Sequence, residues 1–469
     1  MAKLTRRSFL TTGLAATATG AIASEARAEA PAGEPAPSDP LSVQAEVDGE
    51  SLTFLVGPDT TALHALRAAG RTGVKEGCGH GACGACTIVR DARTTCACLL
   101  PATALQGAKV TTVHGLGAKG LHPVQRAFMA EDALQCGFCT PGFVVEAADW
   151  VDRWRAEHGD VEPTRDRVAA ALAGHLCRCG AYVAIYRAVQ GAAAGRYDAG
   201  DDVGPRKDGH AKVTGEARYT VDVQLPGMLH GAILRAPFAR GRLQRLDLAA
   251  ARSVPGVHGV IRLLEDGASI RYFGQEIAAV AADDEASAQA GLKALAPELE
   301  SERPILGFED AMAEGAPTIF PKRAHKQAPS AAEGFLPPAP WDESNVRGPF
   351  RSDWFSGHRK ASDILDEASL TVEERYETQI QAHCTLEPHA TVAQVHESGQ
   401  IEVWASTQAV VQLVHDIAER FDVHERDIVV HADYVGGGFG AKAGITIDAV
   451  VAIELAYETG RPVRVVLSR

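Results

Sequence analysis

Cysteines are the residues of this 469-residue chain whose spacing most clearly points to chemistry. There are ten, and nine of them lie between Cys78 and Cys179 in short groups such as Cys-x4-Cys-x2-Cys, Cys-x2-Cys and Cys-x-Cys. Spacings this short suit thiolate ligation of metal better than disulfides that close long loops. The sequence therefore predicts two metal sites with four cysteine ligands each.

The first predicted site follows the plant-type ferredoxin spacing of a 2Fe–2S cluster. Its ligands are Cys78, Cys83 and Cys86, followed by Cys98. The intervening segment is rich in glycine, which lets the backbone curl around the irons and aim N–H groups at sulfur. Cys96 is an alternative fourth ligand. A structural zinc ion is an alternative occupant, because zinc also takes four cysteines.

The second predicted site consists of two pairs, Cys136 with Cys139 and Cys177 with Cys179. Helical spacing of apolar residues predicts a helix after each pair, over 141–154 and 182–190. The N-terminus of a helix stabilises thiolates and the net negative charge of a cluster. The two pairs together therefore indicate a second iron–sulfur cluster.

Composition excludes several other functions. The chain has a net charge of −14, which argues against nucleic acid and against an anionic membrane surface as the main partner. It contains no apolar run of the 18 or so residues that a membrane span requires. Hydrophobic residues make up 46% of the chain, as in globular proteins. We therefore expect a small-molecule substrate, no nucleic acid and no membrane span after signal cleavage.

The N-terminus is typical of an export signal. Arg6-Arg7-Ser8-Phe9-Leu10 precedes an apolar stretch of small residues, and Ala26-Arg27-Ala28 offers a cleavage site. This pattern predicts a twin-arginine signal peptide over residues 1–30 and a periplasmic protein, with an ordinary secretory signal as the alternative. Export in the folded state also suits a protein whose metal is inserted in the cytosol. A proline-rich linker follows over 31–40.

The elements that must position these residues divide the chain into several parts. Alternating apolar residues and an Asp48-Gly49 turn predict a β-rich unit over 41–115, and helical spacing predicts a helical unit over 116–190. A glycine-rich linker is expected over 191–204, mixed strands and helices over 205–305, a connecting segment over 306–369 and an α/β segment over 370–469. The expected fold class is α+β.

Three cysteine motifs, at 77–86, 135–142 and 176–179, closely resemble the two-cluster iron–sulfur unit of the xanthine dehydrogenase/aldehyde oxidase family of molybdenum hydroxylases. They read Gly-Cys-Gly-His-Gly-Ala-Cys-Gly-Ala-Cys, Gln-Cys-Gly-Phe-Cys-Thr-Pro-Gly and Leu-Cys-Arg-Cys. The resemblance implies a β-grasp 2Fe–2S ferredoxin domain over 41–115 and a four-helix 2Fe–2S domain over 116–190. It also implies that Cys98 is the fourth ligand of the first cluster.

The rest of the chain resembles the beginning of the molybdenum-binding part of the same family. The matching segments are Lys212–Tyr219 with Asp222, Glu387-Pro388-His389, Trp404–Gln408 and Gly436–Lys442. The resemblance implies an α/β hammerhead-like domain over 205–305. It further implies a truncated first molybdopterin-binding domain over 370–469.

The resemblance also implies residue roles. Gln408 is expected to hydrogen-bond a molybdenum oxygen, Gly438, Phe439 and Gly440 to lie against the metal and the pterin, and Gln135 to touch the pterin beside the second cluster. The glycine loop is expected between a strand at 428–430 and a helix at 445–457. Taken alone, it also fits a degenerate dinucleotide-binding fingerprint or a structural turn. The acidic residue that would bind ribose is missing, however, and the residues after the loop exclude a phosphate-binding loop.

The cofactors implied are two 2Fe–2S clusters and molybdopterin, the latter in the cytosine dinucleotide form that is usual in bacterial members of the family, and no FAD. Only the short linker separates the helical unit from residue 205, so we expect a non-flavin electron acceptor such as a cytochrome. In the family the general-base glutamate lies beyond the position that matches residue 469. We therefore expect no catalytic residue in this chain, and a further chain or segment that completes the molybdenum site.

Two functions follow from these expectations. The first is a periplasmic molybdenum hydroxylase, or its iron–sulfur-bearing part, that oxidises its substrate with water as the oxygen source. Ala443 stands where purine-oxidising members have glutamate, which favours an aldehyde or an N-heterocycle as substrate. The alternative is a non-catalytic, two-cluster electron-transfer subunit with an incomplete molybdopterin domain.

Overall fold

The computed structural model describes residues 40–118, 120–199, 206–320, 345 and 361–468. The predicted signal peptide and nearly all of the first linker lie outside these residues. Parts of the 191–204 linker and of the 306–369 connecting segment lie outside them as well.

The first domain is a five-stranded mixed sheet covered by a helix. Its strands are β1 (Leu41–Val47), β2 (Glu50–Val56), β3 (Thr87–Arg90), β4 (Arg93–Cys96) and β5 (Lys109–Thr111), in the order β2-β1-β5-β3-β4. Asp48 and Gly49 both have positive φ, as a tight hairpin turn requires. The covering helix Ala62–Ala68 begins after its N-cap Thr61. The β-grasp architecture is confirmed.

The second domain is helical and has a dense apolar core. Its helices are Val113–Leu116, Pro123–Ala130, Thr140–His158, Arg165–Ala171 and Tyr182–Ala193, and short 3₁₀ helices at Ala97–Leu99 and Ala102–Leu105 precede it. Phe128, Phe138 and Phe143 are fully buried among these helices. The four longer helices match the predicted four-helix domain.

Strands from two distant parts of the chain form one seven-stranded sheet. Its strands are β6 (Leu229–Arg235), β8 (Val257–Arg262), β10 (Glu276–Ala282), β12 (Ala390–Val395), β13 (Ile401–Ala405), β14 (Ile428–His431) and β15 (Val463–Val466). Their order in the sheet is β14-β13-β12-β15-β6-β10-β8. β15 joins the two halves by pairing in parallel with β6. The sequence assigns 205–305 and 370–469 to separate domains, whereas in the structure they share this sheet. Pairing over such a distance leaves no local sequence signal.

The remaining elements of this part of the chain lie outside this sheet. A second sheet combines β7 (Gly241–Arg245), β9 (Ser269–Ile270) and β11 (Glu298–Ser301). The helices are Gly209–Thr214, Ala249–Arg252, Glu285–Ala294, Phe308–Met312, Ala361–Asp366, Val410–Phe421 and Ile447–Thr459, with 3₁₀ helices at Thr220–Asp222 and Glu425–Asp427. The glycine loop 436–442 lies between β14 and helix Ile447–Thr459, as the sequence predicts. Among the helices described, none is both long and apolar enough to cross a membrane.

Candidate functional site

The loop from Cys78 to Cys86 curls so that its backbone amides face sulfur. The N–H groups of His80 and Ala82 donate to Cys78 Sγ at 3.5 and 3.3 Å, and the N–H of Gly81 donates to Cys98 Sγ at 3.2 Å. Three glycines of the loop have positive φ, which L side chains rarely adopt: Gly79, Gly81 and Gly84. Amides directed at sulfur stabilise thiolates, as a bound cluster requires.

The thiols of this first set also face one another. Burial alone would raise the pKa of Cys78, but hydrogen bonds from the His80 N–H and the Cys83 thiol outweigh it and lower the pKa to about 7. Burial raises the pKa of Cys83 to about 11. The set therefore contains a thiol that ionises near neutral pH beside a neighbour that keeps its proton.

Cys96 and Cys98 both lie beside Cys86. A hydrogen bond from the Cys86 thiol lowers the pKa of Cys96 to about 7, and Cys98 also hydrogen-bonds Cys86. Cys98 additionally accepts the Gly81 N–H inside the cysteine loop, whereas Cys96 is the last residue of β4 and pairs with Thr87. The geometry favours Cys98, and its assignment as the ligand stays a prediction.

The second set of thiols meets at the start of two helices. Its members hydrogen-bond one another as Cys136 with Cys179 and Cys139 with Cys177. Cys139 is the N-cap of helix Thr140–His158, and the other pair directly precedes helix Tyr182–Ala193. Hydrogen bonds from the Cys139 and Cys179 thiols hold the pKa of Cys177 well below its usual range. Two loops thus bring all four predicted ligands together.

The donor set of each site fits a binuclear iron–sulfur cluster. Both sites consist of thiols that receive backbone N–H groups, and Ala181 N–H donates to Cys177 Sγ at 3.5 Å. Across the described ranges, no three Cys, His, Asp or Glu side chains converge as ligands of a single metal ion.

The two cysteine loops contact each other directly. The N–H of Leu176, next to Cys177, donates to Cys83 O at 3.0 Å. Helix Thr140–His158 approaches so closely that a side chain at Gly142 would overlap the carbonyl oxygen of Gly84. One hydrogen bond and a few covalent bonds therefore link a ligand of the first cluster to a ligand of the second.

A buried histidine fills the space beside this contact. His175 is 6% exposed, and its Nε2 lies 2.9 Å from Thr87 Oγ1. Burial lowers the pKa of His175 to about 4, so the ring is neutral at neutral pH. The region between the two sets of thiols therefore gains no positive charge from this side chain.

Arg178, between Cys177 and Cys179, connects the second site to the molybdopterin-binding segment. Its guanidinium donates to His383 O at 2.7 Å and to Ala382 O at 2.9 Å. It also lies 6.0 Å from the centre of the Phe439 ring. The predicted electron-transfer site and the predicted pterin site are thus neighbours.

The glycine loop surrounds the side chain of Gln408. Gln408 Oε1 accepts the N–H groups of Gly440 at 2.8 Å and Lys442 at 3.4 Å. A side chain at Gly438 would overlap Gln408, so this close approach needs glycine. Phe439 has a positive φ of 52° and is 43% exposed. The structure therefore brings together the four predicted residues Gln408, Gly438, Phe439 and Gly440.

Gln135 is placed differently from these four residues. It is exposed, and its carbonyl oxygen accepts hydrogen bonds from Lys212 Nζ at 2.9 Å and Arg206 Nη2 at 3.0 Å. These contacts fix the backbone beside Cys136. They do not test the side chain, so its contact with the pterin stays a prediction.

The sequence did not reveal a buried ion pair that joins the first domain to the hammerhead segment. Lys75 Nζ lies 2.6 Å from Asp222 Oδ2, both side chains are fully buried, and Arg67 adds a contact of 2.9 Å to Asp222. Lys75 also lies 4.7 Å from the ring centre of Tyr219, whose hydroxyl donates to Cys136 O at 2.7 Å. Asp222 belonged to a recognised motif, but its partner lies 147 residues away, and only the fold brings them together.

A second buried network was also missed. Glu387 and Lys442 both lie in recognised motifs, and their side chains are fully buried below the glycine loop. The motifs assigned both residues to the molybdopterin-binding domain. Nothing in the sequence indicated that these two side chains, 55 residues apart, would be in contact.

Four protein-family models match consecutive parts of the chain. They describe a 2Fe-2S iron-sulfur cluster binding domain at 45–109, a [2Fe-2S] binding domain at 112–190, an aldehyde oxidase and xanthine dehydrogenase a/b hammerhead domain at 214–266, and a molybdopterin cofactor-binding domain at 344–469. Their order is the one that the motifs predict.

The chain is also similar to individual known proteins. The chain is 29% identical over 443 residues to the aldehyde oxidoreductase of Megalodesulfovibrio gigas, covering 84% of this chain and 46% of the relative. It is 40% identical over 156 residues to the nicotine 6-hydroxylase small subunit of Paenarthrobacter nicotinovorans, covering 33% of this chain and 91% of that subunit.

A solved aldehyde oxidoreductase from Desulfovibrio gigas superimposes with a TM-score of 0.75 at 27% identity, covering 91% of this chain and 49% of that structure. The chain thus spans about half the length of these two aldehyde oxidoreductases.

Proposed function

The chain belongs to the xanthine dehydrogenase/aldehyde oxidase family of molybdenum hydroxylases, and from this membership we propose its function. It carries two iron–sulfur clusters and the first part of the molybdopterin site of an oxidoreductase. The reaction is oxidation of an aldehyde or an N-heterocycle, with water as the source of oxygen.

The observation that carries this proposal is a continuous series of contacts between the three sites. Arg178 links the glycine loop at Phe439 to the second set of thiols. The hydrogen bond from Leu176 to Cys83 then links the second set to the first. A protein that only stores iron, or a zinc protein, has no need of a pterin-binding loop at the end of this series.

Each part of the chain has a role in the proposed reaction. The molybdenum cofactor, when bound, supplies the two-electron oxidation of the substrate. Gln408 presents its amide beside the cofactor, and Gly438 and Gly440 let the backbone approach it. The second set of cysteines would hold the cluster nearer the cofactor, and the first set, with the half-buried Cys78, would hold the cluster from which electrons leave to an acceptor.

The proposed substrate class rests on one residue and on two relatives. Ala443 replaces the glutamate that favours purines in this family. The relatives are named for an aldehyde and for nicotine, an N-heterocycle. Both substrate types present a carbon bonded to oxygen or nitrogen.

Several finer features belong to the same proposal. We propose the cytosine dinucleotide form of molybdopterin, no FAD, and an acceptor such as a cytochrome. The twin-arginine pattern supports export to the periplasm. A further chain or segment completes the molybdenum site and supplies the general-base glutamate, since aldehyde oxidoreductases that match this chain are about twice as long.

Metal analysis of the chain, expressed together with its genomic neighbours, tests the proposal. We expect about four irons per chain, two distinct 2Fe–2S signals in electron paramagnetic resonance, and about one molybdenum per completed site. Aldehydes and N-heterocycles should reduce both clusters in this complex. The readout is metal content together with substrate-dependent bleaching of the visible spectrum.

Other outcomes identify the alternatives. Four irons without molybdenum would support the non-catalytic electron-transfer subunit. A colourless protein that contains zinc would contradict both functions. Cell fractionation tests the location, with an Arg6→Lys/Arg7→Lys variant as the control that should remain in the cytoplasm.

A further inference from the structure

The buried ion pair of Lys442 and Glu387 lies directly below Gln408. Lys442 Nζ is 3.5 Å from Glu387 Oε2, and both side chains are completely inaccessible to solvent. An ion pair in such a place has a large desolvation cost and weak value for stability alone. Its presence beside a candidate cofactor site suggests another role.

Hydrogen bonds reach both charged groups, although Glu387 Oε1 is buried without a hydrogen-bond partner. Glu387 Oε2 accepts from the N–H of Gly436 and from the Ser406 hydroxyl, both at 2.6 Å. Lys442 Nζ donates to Ser406 Oγ at 2.6 Å and to Glu387 O at 3.0 Å. The network therefore holds the beginning and the end of the glycine loop at the same point.

The backbone of Lys442 in turn fixes Gln408. Lys442 O accepts the Gln408 N–H at 2.8 Å, and Gln408 Oε1 faces the N–H groups of Gly440 and Lys442. Since both neighbours are donors, the amide can place only its oxygen toward them. This leaves its NH₂ group as a donor that neither of these two N–H groups can use.

The same network reaches the second iron–sulfur site. A side chain at Gly436 would overlap both Glu387 and Phe138, so these three residues are in close contact. Phe138 lies between Cys136 and Cys139. The start of the glycine loop is therefore packed against both Glu387 and the loop that carries two cluster ligands.

We propose that the Lys442–Glu387 pair is a positioning device that holds the Gln408 amide with its NH₂ group toward an oxygen of the molybdenum cofactor. Lys442 and Glu387 are positioning residues, because they act through the loop and Gln408. The inference rests on the proposed function for the identity of the acceptor. Beyond the proposed function, it identifies the residues that determine the orientation of the Gln408 amide.

The double variant Lys442→Met/Glu387→Gln tests the inference, because it removes both charges together and leaves no unpaired buried ion. Hydrogen exchange of residues 436–443 should become about ten- to a hundredfold faster, the range for loss of a hydrogen bond to a charged group. In the complete complex, kcat should fall about tenfold or more because the amide is misplaced. The electron paramagnetic resonance spectrum of partly reduced molybdenum should change, while both cluster signals remain.

Two further variants separate positioning from general stability. Ser406→Ala removes the shared hydroxyl but keeps both charges, and we expect a smaller change in the same direction. The control is Arg235→Met/Glu276→Gln, which removes an ion pair of 2.7 Å that joins β6 to β10. The control should leave the molybdenum spectrum and the exchange of 436–443 unchanged.

The possible failures are distinguishable. If the double variant is less stable but keeps wild-type exchange, kcat and molybdenum spectrum, the pair is structural and the inference is wrong. If the wild-type complex contains no molybdenum, the proposed function fails. Hydrogen exchange then still shows whether the pair holds the loop around Gln408.

Discussion

At the scale of single residues, spacing identified the thiols but not every pairing among them. Cys-x4-Cys-x2-Cys is specific because the chain must return to the same pair of irons within a few residues. The choice between Cys96 and Cys98 could not be made from spacing, since both follow the loop closely. In the structure the Gly81 N–H donates to Cys98 Sγ, which favours Cys98 as the ligand.

Replacement of the two candidate ligands should give opposite results. Cys98→Ser should remove one of the two 2Fe–2S signals, because a hydroxyl is a poor ligand for this iron, and Cys96→Ser should keep both signals. The measurement is low-temperature electron paramagnetic resonance with iron analysis of the purified complex. Loss of a signal in Cys96→Ser and its retention in Cys98→Ser would reverse the assignment.

At the scale of secondary-structure elements, local sequence patterns predicted individual strands and helices but not the pairing of strands that are distant in the chain. The glycine loop was expected after a strand at 428–430 and before a helix at 445–457, and it lies between Ile428–His431 and Ile447–Thr459. The periodicity of apolar residues carries this information locally. The parallel pairing of β15 with β6 carries no such signal, because the strands are more than 200 residues apart.

The approach of helix Thr140–His158 to the first cysteine loop leads to a prediction. Gly142→Ala should push the Gly84 carbonyl away, because the new methyl group would overlap backbone atoms that cannot rotate aside. Overpacking of this kind costs about 1–3 kcal/mol. We expect a lower unfolding temperature and a weaker magnetic interaction between the two reduced clusters.

Gly174→Ala is the matched control. It lies in the same contact region, but an added methyl group there would meet no atom within 4 Å. It should leave the unfolding temperature and the magnetic interaction between the two reduced clusters unchanged. An equal effect of both substitutions would mean that the close approach at Gly142 has no special importance.

At the scale of the whole molecule, ion pairs between distant segments hold the cluster-binding domains against the rest of the chain. Burial alone would raise the pKa of Asp222, but the charges of Lys75 and Arg67 outweigh it and lower the pKa. The ionised carboxylate therefore stabilises the folded state. This contribution is complete above the unfolded pKa of about 4 and is lost as the pH falls through the lower folded value.

Asp222→Asn should destabilise the protein by about 3–5 kcal/mol, because it leaves Lys75 buried without its counter-ion. The variant should also lose less stability than the wild type when the pH falls below about 4, because it lacks the carboxylate that is protonated there. Calorimetric unfolding temperatures measured over this range check both effects. Glu50→Gln is the control, since the Glu50 side chain is 66% exposed and its pair with Arg71 is expected to contribute about 1 kcal/mol or less.

The seven-stranded sheet constrains how a gene of this kind can be divided during evolution. A break between 282 and 390 would put β6, β8 and β10 on one polypeptide and β12 to β15 on the other, and would leave each with an open, aggregation-prone edge. A break before residue 206 would leave the sheet intact on one polypeptide. Lys75 and Asp222 would then meet across a subunit boundary, so a contact that now lies inside one chain would become the recognition point between two gene products.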